Sequence, residues 1–233
     1  MSALNNSQGA GKFPILCYVT DRKSLSLPVR SADVAALVEK VATLTRAGVD
    51  WVQIREKDLS TRQLTGLARQ ALHCVPVRPD KDPGMPRIIV NDRVDVALTA
   101  VAGGVHLGES SLPVCDVKLF VRSLVSANDF ILGVSCHSLE SVKAAASSGA
   151  DYVFFGPVFA TPSKAAFGEP HGVRRLAEVC RSVPIPVLAI GGITVENAGE
   201  CFAAGASGIA AIRLFQDAPE PAGAVEALRR KLR

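Results

Sequence analysis

The clearest chemical pattern in this 233-residue chain is the run Gln53–Lys57, which follows a short apolar segment. Side chains alternate between the two faces of an extended strand, so one face of this run carries Gln53, Arg55 and Lys57. An arginine fork and a lysine point charge on one face are suited to binding a diphosphate. The alternative is a solvated strand end in which Glu56 and Asp58 form surface salt bridges.

Two further groups of polar residues follow apolar runs. Asn91 and Asp92 place an amide beside a hard oxygen ligand, as Mg²⁺ bound to a phosphate requires. The same pair is also a common N-cap ahead of a helix at Val94. Ser135 and His137 bring together a hydroxyl and an imidazole, which is suited to moving protons near neutral pH. The alternative for His137 is that it packs against the next helix and caps it.

Two later segments supply donors for a phosphate. Thr161, Ser163 and Lys164 lie close together in a segment that is able to close over an anion, although without context it is an ordinary turn. Gly191 and Gly192 let backbone N–H groups approach a ligand closely, because glycine has no side chain. In parallel barrels, the loops after strands seven and eight commonly hold phosphate.

The elements that must position these residues are short β-rich runs alternating with helix-period segments, which predicts repeated βα units. The predicted strands are Ile15–Thr20, Trp51–Arg55, Ile88–Asn91, Val105–Leu107, Ile131–Val134, Tyr152–Phe155, Val187–Ile190 and Gly208–Ile212. Helices are predicted to begin near Asp33, Thr61, Val94, Val114, Leu139, Val173, Glu196 and Pro219. Eight such units predict an α/β chain folded as a (β/α)₈ TIM barrel, whose strand ends share one mouth. A doubly wound sheet usually carries a Gly-rich turn after its first strand, and none is present here.

The connections fit the same architecture. The phrases that end a helix with glycine and enter a strand are Ala47-Gly48-Val49-Asp50, Ser148-Gly149-Ala150-Asp151 and Ala204-Gly205-Ala206-Ser207. Ser138 and Thr194 are predicted N-caps. Prolines interrupt residues 76–86, and the Gly- and Pro-bearing loop at 156–172 is expected to form an active-site lid.

Composition fits one barrel domain at residues 13–233 after a flexible tail at residues 1–12, and 48% hydrophobic residues exclude a disordered chain. The net charge of +4 and the short Arg229-Arg230-Lys231 run do not predict a nucleic-acid surface. Six scattered cysteines without a CxxC pair predict neither a zinc site nor a disulfide scaffold. Without a signal peptide or about 18 consecutive apolar residues, the chain is expected to be cytoplasmic and to have no membrane partner.

Taken in order, the phrases resemble the thiamine phosphate synthase/TenI family along nearly the whole chain. The resemblance is carried by Tyr18-Val19-Thr20-Asp21, Gln53–Lys57, Val90-Asn91-Asp92, Gly104–Gly108, Gly133-Val134-Ser135, Ala150–Val153, Phe155–Lys164 and Ala189–Ile193. It implies a transferase that joins hydroxymethylpyrimidine diphosphate to thiazole phosphate, releases pyrophosphate and uses Mg²⁺. Such substrates are phosphorylated small molecules, and a homodimer is an open expectation.

The resemblance also assigns roles by position. Its diphosphate contacts match Gln53, Arg55, Lys57, Asn91, Ser135 and Lys164, and its thiazole phosphate contacts match Thr161, Ser163, Gly191 and Gly192. Asp92 matches one magnesium ligand. Among these residues we assign catalytic roles to Arg55, Lys57 and Lys164. His137 is a fourth candidate catalytic residue.

Two positions depart from the family pattern. Where synthases carry a second acidic magnesium ligand this chain has Ser111, and Glu109 substitutes only if the loop shifts. Where the family shows a small serine after the last strand, this chain has Arg213, which either binds a phosphate or blocks the usual pocket.

Three functions remain open from the sequence, with a synthase as the main prediction. Ser111 favours the alternative of a TenI-type thiazole tautomerase, which acts without metal and uses a histidine at the position of His137. The features that favour the synthase are Arg55-Glu56-Lys57, Asp92 and Lys164. The third hypothesis is a non-catalytic protein that binds or senses a phosphometabolite.

Overall fold

Eight parallel strands close into a barrel in the order in which they occur along the chain. The computed structural model describes residues 14–25, 33–75, 86–124, 130–161 and 169–231. The strands are β1 Ile15–Val19, β2 Trp51–Ile54, β3 Arg87–Asn91, β4 Gly104–Leu107, β5 Ile131–Cys136, β6 Tyr152–Phe155, β7 Val187–Ile190 and β8 Gly208–Ala211. The predicted (β/α)₈ TIM barrel is confirmed.

Helices follow the strands around the outside of the barrel. They are α1 Asp33–Ala47, α2 Thr61–Cys74, α3 Val94–Ala100, α4 Val114–Arg122, α5 Leu139–Ser147, α6 Gly172–Ser182, α7 Ala198–Ala203, α8 Arg213–Gln216 and α9 Pro221–Arg230. The first five begin where the sequence predicts, while α7 begins two residues later than Glu196. The four-residue helix α8 is not predicted from the sequence.

The strands divide their side chains between two layers, because successive residues of a strand point to opposite faces. The barrel interior is filled by Cys17, Val19, Trp51, Ile89, Ile131, Tyr152, Phe154, Leu188 and Ala210. The alternate strand residues pack outward against the helices in a larger cluster. The inward positions nearest the carboxyl ends of the strands therefore point into the mouth of the barrel.

At the end of the barrel opposite the mouth, two of the glycine turns share the same hydrogen-bonding pattern. Gly48 and Gly149 both have a positive φ, 104° and 92°, and each is followed two residues later by an aspartate. The backbone N–H of Leu16 donates to Asp50 Oδ2 (2.7 Å), and the N–H of Leu132 donates to Asp151 Oδ2 (2.8 Å). Each aspartate thus ties its turn to the start of the preceding strand, which stabilises the closed end of the barrel.

The predicted N-caps have different outcomes. Ser138 caps α5 with a capping box that includes Ser141. Thr194 makes the same reciprocal pair with Asn197, because each backbone N–H donates to the oxygen of the other side chain, at 3.4 and 2.8 Å. This pair closes the turn ahead of α7 instead of its first helical turn, which explains the later start of that helix.

Several predictions fall partly or wholly outside the described residues. They concern the tail at residues 1–12, most of the proline-rich stretch, and Ser163 and Lys164 in the loop after β6. Within the described ranges, no helix is both long and apolar enough to cross a membrane.

Candidate active site

A layer of polar side chains crosses four neighbouring strands just inside the mouth. Gln53 on β2 donates through Nε2 to Asn91 Oδ1 on β3 (2.8 Å). On the next two strands, His106 Nε2 lies 2.9 Å from Ser135 Oγ. Asn91 is paired in register with His106, so the four groups form one continuous layer. The structure thus brings together three of the predicted substrate-binding residues, and it adds His106 between them.

Beyond the end of β2 at Ile54, the cations Arg55 and Lys57 differ in their contacts from the neighbouring carboxylates Glu56 and Asp58. Arg55 is half-buried and Lys57 is exposed, and no ion pair within the described ranges includes either of them. Arg55 lies close enough to His106 for its charge to lower the pKa of that imidazole. Both cations are therefore available to an anionic ligand.

The salt-bridge interpretation applies to the intervening carboxylates instead. Arg22, which follows β1, binds Glu56 Oε2 at 3.0 Å and Asp58 Oδ1 at 2.7 Å. Thr20 Oγ1 donates to Glu56 Oε1 (2.6 Å) and accepts the backbone N–H of Arg55 (2.9 Å). Buried Glu56 thus anchors the end of β2 and fixes the backbone from which Arg55 projects. The salt-bridge interpretation therefore holds for Glu56 and Asp58, and the binding of a diphosphate by Arg55 and Lys57 stays a prediction.

Asp92 is exposed at the end of β3 in a left-handed conformation, with a φ of 64°. Its backbone N–H donates to the carbonyl of His106 (2.8 Å). Its carboxylate accepts a short hydrogen bond from the hydroxyl of Ser111, which also accepts the N–H of Gly108 (2.8 Å). The N-cap position of α3 belongs to Arg93, so Asp92 does not act as the cap of that helix.

This contact tests whether the residues present suit Mg²⁺. Asp92 and Ser111 offer hard oxygen donors, which is the donor type that Mg²⁺ prefers. They contribute one carboxylate, and Glu109 is exposed on the same loop. In the part of the chain that the structure describes, no group of three or more Asp, Glu, His or Cys side chains is arranged so that it could hold a metal ion. The donor set fits a cation held by few protein ligands and completed by oxygens of the substrate.

His137 lies at the end of β5, against the loop that follows β6. Its Nδ1 is in short hydrogen-bonding contact with the carbonyl of Gly156, and a carbonyl only accepts, so Nδ1 carries a proton. In the neutral form of the ring, Nε2 is therefore the nitrogen without a proton. The cap of α5 is Ser138, so the capping alternative for His137 is wrong. Nearby, His171 stacks on Phe155 at 5.0 Å, and burial followed by the charges of His137 and Arg175 lowers its pKa.

Gly191 and Gly192 bring backbone against the loop that follows β6. Both have a positive φ, 95° and 65°, and a Cβ on Gly192 would lie 2.4 Å from the carbonyl oxygen of Ala160. No backbone hydrogen bond recorded for the described residues uses the N–H of either glycine. Asn197 Nδ2 donates to the carbonyl of Gly192 (3.0 Å), which orients the turn.

The remaining predicted residues lie around these loops. Thr161 is the last described residue before the gap in the loop, and Ser163 and Lys164 lie outside the described residues. Arg213 is exposed at the first position of α8, one residue beyond Ile212, which packs against the barrel interior. Arg213 is not part of the hydrogen-bonded layer of Gln53, Asn91, His106 and Ser135.

Two residues of this region are not predicted as site residues from the sequence. His106 and Tyr152 are fully buried in the barrel and joined by a 3.1 Å contact between Nδ1 and the phenol oxygen. Burial, followed by the charge of Arg55, lowers the pKa of His106 to about 3, so the ring is neutral. A histidine at an inward position of a strand was the available signal, because a polar group there needs a partner.

The family model described as thiamine monophosphate synthase matches residues 16–215 of this chain. The chain belongs to the thiamine monophosphate synthase family. That match runs from the second residue of β1 into α8, and so it includes the seven later strands in full and all of the polar layer. The family expected from the sequence is confirmed.

Relatives in the thiamine monophosphate synthase family cover most of the chain. Two proteins named thiamine-phosphate synthase, from Roseiflexus sp. (strain RS-1) and Roseiflexus castenholzii, are each 40% identical over 92% of this chain, covering 83% and 86% of their own lengths. A solved thiamine phosphate pyrophosphorylase from Pyrococcus furiosus is 32% identical, with a TM-score of 0.76 over 94% of this chain and 95% of its own. A 3-hexulose-6-phosphate synthase structure, 17% identical with a TM-score of 0.64, shares the fold alone.

Proposed function

We propose that this protein is a thiamine-phosphate synthase, a transferase that joins hydroxymethylpyrimidine diphosphate to thiazole phosphate and releases pyrophosphate. The observation that carries the proposal is the polar layer at the mouth with Arg55 beside it, set in a chain whose relatives bear that name. Its substrates are phosphorylated small molecules. A cytoplasmic location and a homodimer belong to the proposal as well.

The diphosphate is placed at Gln53, Arg55, Lys57, Asn91 and Ser135, with Lys164 reaching it from the loop after β6. The amide and hydroxyl groups supply hydrogen bonds, and the cations supply charge. When the pyrimidine C–O bond breaks, negative charge builds up on the departing diphosphate. Fixed donors and cations stabilise that charge more than they stabilise the bound substrate, which is the requirement for catalysis.

Magnesium is placed at Asp92, with the Ser111 hydroxyl beside it. A bound Mg²⁺ supplies charge neutralisation on the diphosphate. The protein's own contribution is the carboxylate of Asp92, whose position is fixed by its backbone bond to His106. Asp92 would hold a bound Mg²⁺ through its one carboxylate, which is a weak ligand set for this ion, so the diphosphate substrate would have to contribute oxygen ligands.

The thiazole phosphate is placed at the turn of Gly191 and Gly192, with Thr161 and Ser163 on the facing loop. The support is the pair of backbone N–H groups that the turn leaves available, since such groups bind anions well. Arg213 adds a cation at the neighbouring strand end and is proposed to contact the same phosphate.

A thiazole tautomerase is the second candidate, and the geometry of His137 is the observation that favours it. With Nδ1 bound to Gly156, the ring presents Nε2 as a base. Arg55 beside the polar layer favours the synthase, because a tautomerase has no leaving diphosphate to stabilise.

The order of three alanine variants tests the proposal. In a synthase, Arg55→Ala and Lys164→Ala should each lower turnover by about 10²–10³, because each removes a preorganised charge partner of the leaving group. His137→Ala should be tolerated better. In a tautomerase the order reverses, because His137→Ala removes an acid–base group that supplies about 10²–10⁴. Arg122→Ala and Lys143→Ala, at exposed positions of α4 and α5, are matched controls that should retain activity.

A further inference from the structure

Tyr152 and Tyr18 are the two tyrosines of the chain, and both are fully buried. The Tyr152 phenol lies across β5 at Gly133, where an added Cβ would be 2.0 Å from Cζ of the ring. Glycine at this position therefore makes room for the phenol. The hydroxyl ends 3.1 Å from Nδ1 of His106, whose ring is held against Phe154 at a centroid distance of 4.1 Å.

The direction of the hydrogen bonds follows from the chemistry of the three groups. Among the described residues, His106 Nδ1 is the acceptor within reach of the Tyr152 hydroxyl, and no buried side-chain polar atom is left without a partner. The phenol must therefore donate to Nδ1, which carries no proton. A neutral imidazole then has its proton on Nε2, and that N–H donates to Ser135 Oγ (2.9 Å).

We propose that Tyr152 and His106 form a buried relay that fixes the Ser135 hydroxyl as a hydrogen-bond donor directed into the mouth. Because the Ser135 oxygen already accepts the His106 proton, its own proton turns toward the ligand. The relay thereby presents a donor to an anion at this position. In the reverse direction Ser135 would donate inward and turn a lone pair toward the anion, and the Tyr152 proton would have no acceptor.

His106 and Tyr152 act in this relay as positioning residues, since neither is proposed to contact the ligand. The neutral state of His106 supports the relay, because a protonated ring would occupy Nδ1 as well. The inference rests on the proposed function in one respect, namely that the ligand at Ser135 is a diphosphate.

The first test is the protonation state of His106, measured by ¹⁵N NMR on the ligand-free protein. The chain has four histidines, so the signal is assigned by its loss in a His106→Phe variant. We expect the proton on Nε2. Tyr152→Phe removes the donor to Nδ1, so in this variant we expect His106 to populate both neutral tautomers instead of the Nε2-protonated one alone. The control Tyr18→Phe breaks another buried phenol bond, to Gln216, and should leave the His106 signal unchanged. A proton on Nδ1 in the unaltered protein would overturn the relay.

The second test measures binding of inorganic pyrophosphate, with Mg²⁺ present, in a double-mutant cycle. Ser135→Ala should weaken binding by about ten- to a hundredfold, the usual effect of losing a hydrogen bond to a charged group. His106→Phe should weaken it by several-fold when Ser135 is present and have no further effect in Ser135→Ala, because His106 acts through Ser135. His106→Gln keeps a donor near the Nε2 position and should restore most of the binding.

The two tests separate failure of the relay from failure of the proposed function. Additive effects of His106→Phe and Ser135→Ala would overturn the relay, even with pyrophosphate bound. A protein that carries the Nε2 proton but binds no pyrophosphate would instead overturn the diphosphate assignment of Ser135, and with it the proposed function.

Discussion

Replacing Ser111 by aspartate should convert the Asp92 site into one with two carboxylates. The Ser111 hydroxyl is in direct contact with Asp92, so a carboxylate at position 111 would lie next to another negative charge. Two unit charges about 4 Å apart repel by about 1 kcal/mol in water and about 4 kcal/mol near a protein surface. Asp92 is exposed, so solvent screening keeps the expected cost at the lower end, about 1–2 kcal/mol without metal.

Magnesium should reverse the sign of that effect, because a divalent cation between two carboxylates removes their repulsion and is bound by both. Without Mg²⁺ the Tm of Ser111→Asp should fall by about 2–4 °C per kcal/mol, the usual scale for a chain of this size. At Mg²⁺ about 100 times its Kd, ligand binding alone returns about 2.7 kcal/mol. Thermal unfolding with EDTA measures the loss of stability from charge repulsion, and thermal unfolding across a Mg²⁺ titration measures the gain from metal binding.

Ser110→Asp is the matched control, because it adds the same charge at an exposed neighbouring position. Its Tm should respond little to Mg²⁺. If Ser111→Asp gains no more from Mg²⁺ than Ser110→Asp does, position 111 does not face the metal, and the assignment of Asp92 as its ligand fails.

Two further predictions concern the anion turn and the closed end of the barrel. Gly192→Ala should displace the turn, because the added Cβ would lie 2.4 Å from the Ala160 oxygen and the residue has a φ of 65°. Gly192→Ala and Arg213→Ala should each raise the KM for thiazole phosphate more than the KM for the diphosphate substrate. An unchanged KM in Arg213→Ala would leave Arg213 as a structural residue. Arg229→Met should lower the free energy of unfolding by about 2–3 kcal/mol, because Arg229 donates to Pro14 O (2.6 Å), Gly48 O (2.9 Å) and Asp50 Oδ2 (2.7 Å). The control Arg230→Met removes only an exposed ion pair with Glu226 and should change the free energy of unfolding by less than about 0.5 kcal/mol. Urea denaturation measures both variants, and equal effects would contradict the role of Arg229.

The barrel was predictable because each strand, and each helix except α8, has a local signal. Gly48 and Gly149 mark turns through the positive φ that glycine tolerates, and Ser138 marks a helix start through its capping geometry. Helix α8 has four residues, which is too short to display a helical period, and this explains why it was missed.

The part of the candidate site formed by polar residues at strand ends was predictable from the sequence. Gln53, Asn91 and Ser135 end their strands with polar groups, and their convergence follows from the closure of the barrel. The roles of Glu56 and His106 depend on partners distant in the chain. Glu56 meets Thr20 and Arg22, 36 and 34 residues away, and no local pattern encodes such a pairing.

The most direct measurement of the central claim is a side-by-side assay of the purified protein for both candidate reactions, with Mg²⁺ and with EDTA. The account predicts that hydroxymethylpyrimidine diphosphate and thiazole phosphate yield thiamine phosphate and pyrophosphate, that EDTA abolishes this turnover, and that thiazole carboxylate phosphate is not tautomerised. Metal-independent tautomerisation without formation of thiamine phosphate would contradict it, and absence of both reactions would favour a protein that only binds a phosphometabolite.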